Sequence, residues 1–215
     1  MNVNLEFRLY QITDSKLFSS IDKMLDVIEM QLDAGLKAVQ LREKHLSDLE
    51  VFNLAVRLRN MTNKYSAKLF VNERVDIALC CEADGVHLGF SGMPLKAVRK
   101  ICGEELMIFV STHSMEQAKA AEAEGADLIT FGPVFATPSK MRYGLPAGLK
   151  ALSDVSASIK LPVFALGGID LENLDDVLRT GVYGTAVIRA GLMSRNIKEM
   201  ISKFENSPGD AHDKD

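Results

Sequence analysis

Cys80, Cys81 and Cys102 are the only cysteines in this 215-residue chain. An odd number, two of them adjacent, is a poor disulfide framework, and no CxxC or Cys/His spacing marks a metal site. They read as reduced, mostly buried thiols, and a cytoplasmic protein is expected. No run of roughly 18 apolar residues exists, so no membrane span is expected. The opening MNVNLEFRLYQITD has no basic stretch leading into an apolar one, so no secretory signal is expected either. Positive charge is not in excess: 25 Lys and Arg face 29 Asp and Glu, for a net charge of −4. That argues against a nucleic-acid partner and requires any anion site to be a local cluster. With 47% hydrophobic and 25% charged residues the chain is neither disordered nor fibrous. It is long enough to bury a core without staples.

What is present is alternation. Short apolar runs that read as buried strands fall at 5–12, 38–41, 68–71, 85–88, 107–110, 127–131, 162–166 and 184–188. Amphipathic helical segments separate them. Ser19 or Ser20 caps a helix to Ala34, which Gly35 stops. Ser47 with Glu50, and Ser114 with Gln117, have the spacing of capping boxes. Asp170 is placed to cap a helix ending before Gly181, and a last helix ends near Phe204. The strands are apolar on both faces, as in a parallel sheet covered by helices. Eight such units predict an α/β fold: a single-domain (β/α)₈ TIM barrel with eight parallel strands over residues 1–204. The polar stretch 205–215 reads as a disordered tail. An open doubly wound sheet is the runner-up, weakened by the absence of GxGxxG and GxxxxGK[ST].

In such a barrel chemistry gathers where strands end. After the second strand, Gln40, Arg42 and Lys44 alternate onto one side and suit an anion. After the third come Asn72 and Glu73, the latter a candidate Mg²⁺ ligand or a helix-start carboxylate. His87, in the fourth strand, reads more readily as a satisfied core residue than as a catalyst. After the fifth strand come Ser111, Thr112 and His113, and His113 is a candidate acid or base. Thr137, Ser139 and Lys140 sit in a long loop over 132–146, where hydroxyls and a lysine suit phosphate. Gly168, and the backbone near Ile188 before the final helix, mark the phosphate site common in this fold.

The pieces LYQITD, QLREK, VNERVDIAL, ADGVHLG, STHS, GADLITFGPVFATPSK, ALGGI and GTAVIRAG, in this order, resemble thiamine phosphate synthase. The resemblance runs from about Leu9 to Leu192. It implies a cytoplasmic, usually dimeric barrel acting on two small molecules in thiamine biosynthesis, with no nucleic-acid or membrane partner. Hydroxymethylpyrimidine pyrophosphate loses its pyrophosphate, and a thiazole phosphate attacks the exposed methylene. By match, Gln40, Arg42, Lys44 and Asn72 would bind the pyrimidine pyrophosphate. Lys140 would hold the leaving group with Ser111 near it, and Thr137 and Ser139 would contact the thiazole phosphate. Gly168, Val187 and Ile188 would cradle that phosphate.

Two departures bear on the Mg²⁺ the family uses. Glu73 stands where Asp is usual, and Gly92 where a second carboxylate is usual. Arg189 replaces a common Ser. The missing carboxylate opens two alternatives. One is a TenI-like thiazole phosphate tautomerase using His113. The other is a weakly active paralogue that binds thiamine-pathway phosphates. The retained Gln40, Arg42, Lys44 and Lys140 favour the synthase, since a tautomerase has no pyrophosphate to hold.

Overall fold

The computed structural model describes residues 5–136 and 145–205. Its strands are β1 (Leu9–Ile12), β2 (Ala38–Leu41), β3 (Lys68–Asn72), β4 (Gly85–Leu88), β5 (Met107–Thr112), β6 (Leu128–Phe131), β7 (Val163–Leu166) and β8 (Gly184–Val187). They pair in parallel in chain order, and β8 returns to β1 through Leu9↔Thr185 and Gln11↔Val187. The expected (β/α)₈ barrel is therefore what forms.

Around it lie α1 (Ile21–Asp33), α2 (Asp48–Lys64), α3 (Val75–Cys80), α4 (Leu95–Cys102) and α5 (Met115–Glu124). Then come α6 (Gly148–Ser158), α7 (Leu174–Leu178), α8 (Arg189–Leu192) and α9 (Ile197–Glu205). Ser20 starts α1 by accepting from Lys23 N–H. Ser47 and Glu50 form the full reciprocal box at α2, which satisfies two N–H groups that the first turn leaves unpaired.

Four expectations need correction. Leu5 and Phe7 alternate like strand residues and are buried, but the ladder begins only at Leu9. Ser114 accepts from Gln117 N–H as expected, yet the Gln117 amide oxygen takes the N–H of His113 rather than of Ser114. Asp170 accepts from Glu172 and Asn173 N–H in a turn, and α7 starts only at Leu174, so Asp170 does not cap it. The final helical segment is split into α8 and α9, and α9 ends at Glu205, at the expected end near Phe204. Of the tail expected over 205–215, Glu205 is the last residue of α9, and 206–215 lie outside the described residues.

Two apolar cores share the strands. Between strands and helices pack Leu9, Ile28, Val39, Leu54, Val71 and Ile108, among many aliphatic side chains. Inside the barrel the filling is aromatic: Phe7, Tyr10, Phe70, Phe109 and Phe164. Tyr10 and Phe109 stack at 4.7 Å, and Phe164 meets Phe109 edge-on at 5.2 Å, arrangements that add to plain area burial. A scarce residue class is thus concentrated on the barrel axis, where it blocks a pore and forms a rigid base for whatever sits above.

The end of the barrel where strands begin is tied by carboxylates. Asp84 accepts from Leu69 N–H at 2.8 Å while pairing with Arg59 and Lys68. Asp127 repeats the device with Ile108 N–H and Arg99. Glu205 accepts from the N–H groups of Arg8, Leu9 and Lys37, and its burial raises its pKa.

Candidate active site

At the opposite end, where strands finish, the inward positions turn polar. Tyr10 and Gln40 come from β1 and β2, His87 from β4 and Ser111 from β5, and they form one hydrogen-bonded chain. Gln40 Nε2 lies 3.0 Å from Tyr10 Oη and 2.5 Å from His87 Nδ1. His87 Nε2 lies 2.8 Å from Ser111 Oγ.

The ring of His87 is buried beside the stacked rings of Tyr10 and Phe109, parallel to both. Burial, helped by the charge of Arg42, pushes its pKa down to about 3. The imidazole is therefore neutral at any working pH. With the Gln40 amide donating to Nδ1, the one ring proton sits on Nε2 and is donated to Ser111. Ser111 Oγ then accepts from below and keeps its own hydrogen for a partner above. Gln40 uses both amide hydrogens on Tyr10 and His87, which leaves its Oε1 as an acceptor. So His87 is the satisfied core residue the sequence implied, and it also orients two candidate site residues.

Arg42 and Lys44 follow Gln40 on the same side of the chain. The intervening Glu43 points the other way: its buried carboxylate accepts from the N–H and, at 2.7 Å, the hydroxyl of Ser15. That clamp, with Thr13 Oγ1 accepting from Arg42 N–H, fixes the segment that carries both cations. No carboxylate among the described residues pairs with Arg42. Lys44 Nζ meets Glu73 Oε2 at 3.3 Å. Asn72 ends β3 opposite His87 in the ladder.

Glu73 brings one carboxylate to this mouth. Its backbone is left-handed, with φ of 60°, a conformation that costs a non-glycine residue of order 1 kcal/mol. The tight turn from Gly89 to Gly92, closed by Gly92 N–H on Gly89 O, supplies no carboxylate. Among the described residues no three His, Cys, Asp or Glu side chains converge. Mg²⁺ that serves phosphates is held by one or two carboxylates plus substrate oxygens. The donor set therefore fits an ion that arrives with a diphosphate, and does not fit an all-protein cage.

His113 is not part of the inward chain. It is exposed, and its Nδ1 donates to the carbonyl of Gly132. Gly167 and Gly168 follow β7 with φ of 106° and 69°. A Cβ on Gly168 would fall 2.7 Å from Phe135 Cβ, so the close approach of the loop after β6 requires glycine here. Phe135 N–H bonds to Gly167 O and Val134 N–H to Leu166 O. The loop that leads to Thr137, Ser139 and Lys140 thus begins beside Gly168. Those three residues themselves lie outside the described residues.

Val187 and Ile188 reach the same mouth, and their carbonyls accept from the side chain of Gln11. Sequence reasoning passed over Gln11. It stands in an apolar strand with no local pattern to mark it, and its partners are 176 and 177 residues away.

A family profile described as thiamine monophosphate synthase matches residues 9–190. A Geobacter sulfurreducens protein that provisionally bears the thiamine-phosphate synthase name is 46% identical over 86% of this chain and 87% of its own. The thiamine-phosphate synthase of Clostridium novyi is 39% identical over 91% of this chain and 96% of its own. The solved thiamine phosphate pyrophosphorylase from Pyrococcus furiosus superposes with a TM-score of 0.81 at 36% identity, covering 93% of this chain and 94% of that one.

Proposed function

The chain belongs to the thiamine monophosphate synthase family, and from that membership we propose the reaction it performs. It joins hydroxymethylpyrimidine pyrophosphate to thiazole phosphate and releases pyrophosphate. The observation that carries the reading is the chain Gln40–His87–Ser111 at the barrel mouth, with Arg42 and Lys44 beside it. The tautomerase alternative draws on the carboxylate missing at Gly92 and on His113, but His113 stands outside that chain, and the relatives bear the synthase name.

The pyrimidine rests on the aromatic filling of the barrel, with the Oε1 of Gln40 and the side chain of Asn72 as its polar partners. As the bond from methylene carbon to oxygen breaks, the electron pair leaves with the pyrophosphate. Negative charge then grows on the leaving oxygens. Arg42, Lys44 and the hydroxyl hydrogen of Ser111 are preset to meet it, so little reorganisation is needed when the charge appears. Lys140 belongs to the same task. The thiazole ring nitrogen then bonds to the exposed carbon, while Gly168, the Val187–Ile188 backbone, Thr137 and Ser139 hold its phosphate. Glu73, together with oxygens of the pyrophosphate, would hold Mg²⁺, which when bound neutralises the leaving group.

Three free cysteines favour a reducing cytoplasmic setting. No described helix is long and apolar enough to cross a membrane. A homodimer is also part of the proposal. It is supported by exposed Phe90 and Met93 beside a cleft of about 220 Å³, and sedimentation velocity tests it.

The deciding experiment supplies both substrates with and without Mg²⁺ and follows thiamine phosphate. Mg²⁺-dependent product at an enzymatic rate is expected. No product under either condition would overturn the reading.

A further inference from the structure

Along β1, Tyr10 and Ile12 face the barrel interior, and Leu9 and Gln11 face the helix layer. Gln11 is fully buried there. Its Nε2 lies 2.9 Å from Ile12 O, 3.2 Å from Val187 O and 3.1 Å from Ile188 O. Its Oε1 faces Gln31 Nε2 at 3.4 Å, a long contact, and Gln31 Oε1 is buried with no partner. The contact between the two amides adds little, since it leaves Gln31 Oε1 unsatisfied; what Gln11 supplies is a donor to three backbone carbonyls.

Gly191 completes the arrangement. A Cβ at that position would fall 1.7 Å from Gln11 Oε1, so residue 191 has no side chain because Gln11 occupies the space.

The bonds to β8 have a geometric consequence. In a strand successive carbonyls point to opposite sides. Here those of Val187 and Ile188 both turn to one amide group, the Ile188 carbonyl also accepting from Leu192 N–H at 3.0 Å, and Ile188 leaves the strand region with φ of −112° and ψ of −82°. In a trans peptide the N–H lies opposite the carbonyl of the same plane. The N–H groups of Ile188 and Arg189 therefore both face away from Gln11. Two successive N–H groups on one side form a concavity suited to an anion.

We propose that Gln11 is a positioning residue for the phosphate cradle. By holding the Val187 and Ile188 carbonyls back, it presents two N–H groups to the phosphate of the thiazole substrate. This assignment rests on the synthase reading above.

The test replaces Gln11 with Met, which keeps the volume and loses both donors. Two readouts are taken. In steady-state assays the KM for thiazole phosphate is expected to rise about tenfold, the loss of one hydrogen bond to a charged group. The kcat and the KM for pyrimidine pyrophosphate are expected to stay within about twofold. Inorganic phosphate titrated into the free protein and followed by ³¹P NMR is expected to bind more weakly by a similar factor. Gly191→Ala, which pushes Oε1 out of its place, is expected to give the same selective change and serves if Gln11→Met does not fold. Unchanged KM values, or equal losses for both substrates, would overturn the proposal and leave Gln11 a packing residue. If the wild-type protein makes no thiamine phosphate, the synthase reading fails by itself. The phosphate titration then still decides the role of Gln11: weaker binding in the variant upholds it, and equal binding refutes it.

Discussion

Lys44 and Glu73 face each other at 3.3 Å across the barrel mouth, one the expected pyrophosphate cation and the other the expected metal ligand. Their side chains are 54% and 41% exposed, so the pair contributes less than about 1 kcal/mol. An arriving pyrophosphate can therefore take the lysine and free the carboxylate at little cost. Replacing Glu73 with Gln is expected to raise the Mg²⁺ concentration for half-maximal rate by roughly tenfold or more. The melting temperature is expected to stay nearly unchanged. A Mg²⁺ titration of initial rates, with Mn²⁺ binding measured in the presence of pyrophosphate, checks both halves. An unshifted curve would take Glu73 off the list of ligands.

His87 makes a prediction about acid. Its folded pKa of about 3 lies below the unfolded value of roughly 6.5. Above pH 6.5 neither state is protonated and the group is silent. As pH falls through that window the unfolded chain takes up a proton that the folded chain refuses, and stability drops by up to about 1.4 kcal/mol per pH unit. Denaturant unfolding between pH 7 and pH 4 should therefore show a shallower loss for His87→Gln than for the wild type. Parallel slopes would mean that the buried imidazole does charge.

Gly168 tests the phosphate end. Alanine there must adopt φ of 69° with its Cβ 2.7 Å from Phe135 Cβ, which forces the loop after β6 to move. The KM for thiazole phosphate is expected to rise roughly tenfold, with stability lower by about 1–3 kcal/mol. A KM equal to that of the wild type would place the phosphate elsewhere.

Asp84 is the control at the other end of the barrel. Burial pushes its carboxyl up, but Lys68, Leu69 N–H and Arg59 outweigh this and hold the pKa below the ordinary aspartate value. The stability it confers is present at neutral pH and is lost as pH falls below roughly 3.9 through the lowered value. Asp84→Asn is expected to cost about 2 kcal/mol and to leave kcat/KM within about twofold, since strand starts in this fold serve stability. A large loss of kcat/KM in a stable variant would contradict that division.

Much of this architecture is legible in the chain, because a strand buried on both faces is an unbroken apolar run. Ala38–Leu41 and Gly85–Leu88 were expected with the bounds they have. The failures come where local pattern and tertiary pairing part. Leu5 and Phe7 look like strand but join no ladder, and the Leu5 carbonyl accepts instead from the Tyr183 hydroxyl. Asp170 has the chemistry of a cap, yet the chain makes an extra turn before α7. At the site, alternation alone finds Gln40 and Arg42. It does not find the proton arrangement in His87, which depends on β1, β2 and β5 meeting, nor Gln11, whose partners lie at the far end of the chain.

Glu205, the last residue of α9, grips the amides of Arg8 and Leu9 at the entrance to β1 and of Lys37 just before β2. During synthesis β1 is made first and its clasp last. The nascent protein must therefore wait, with the amides at the entrances to β1 and β2 unfastened, until residue 205 has left the ribosome. A stop codon a few residues early would do more than shorten a helix, because it would leave these two neighbouring strands without their common anchor.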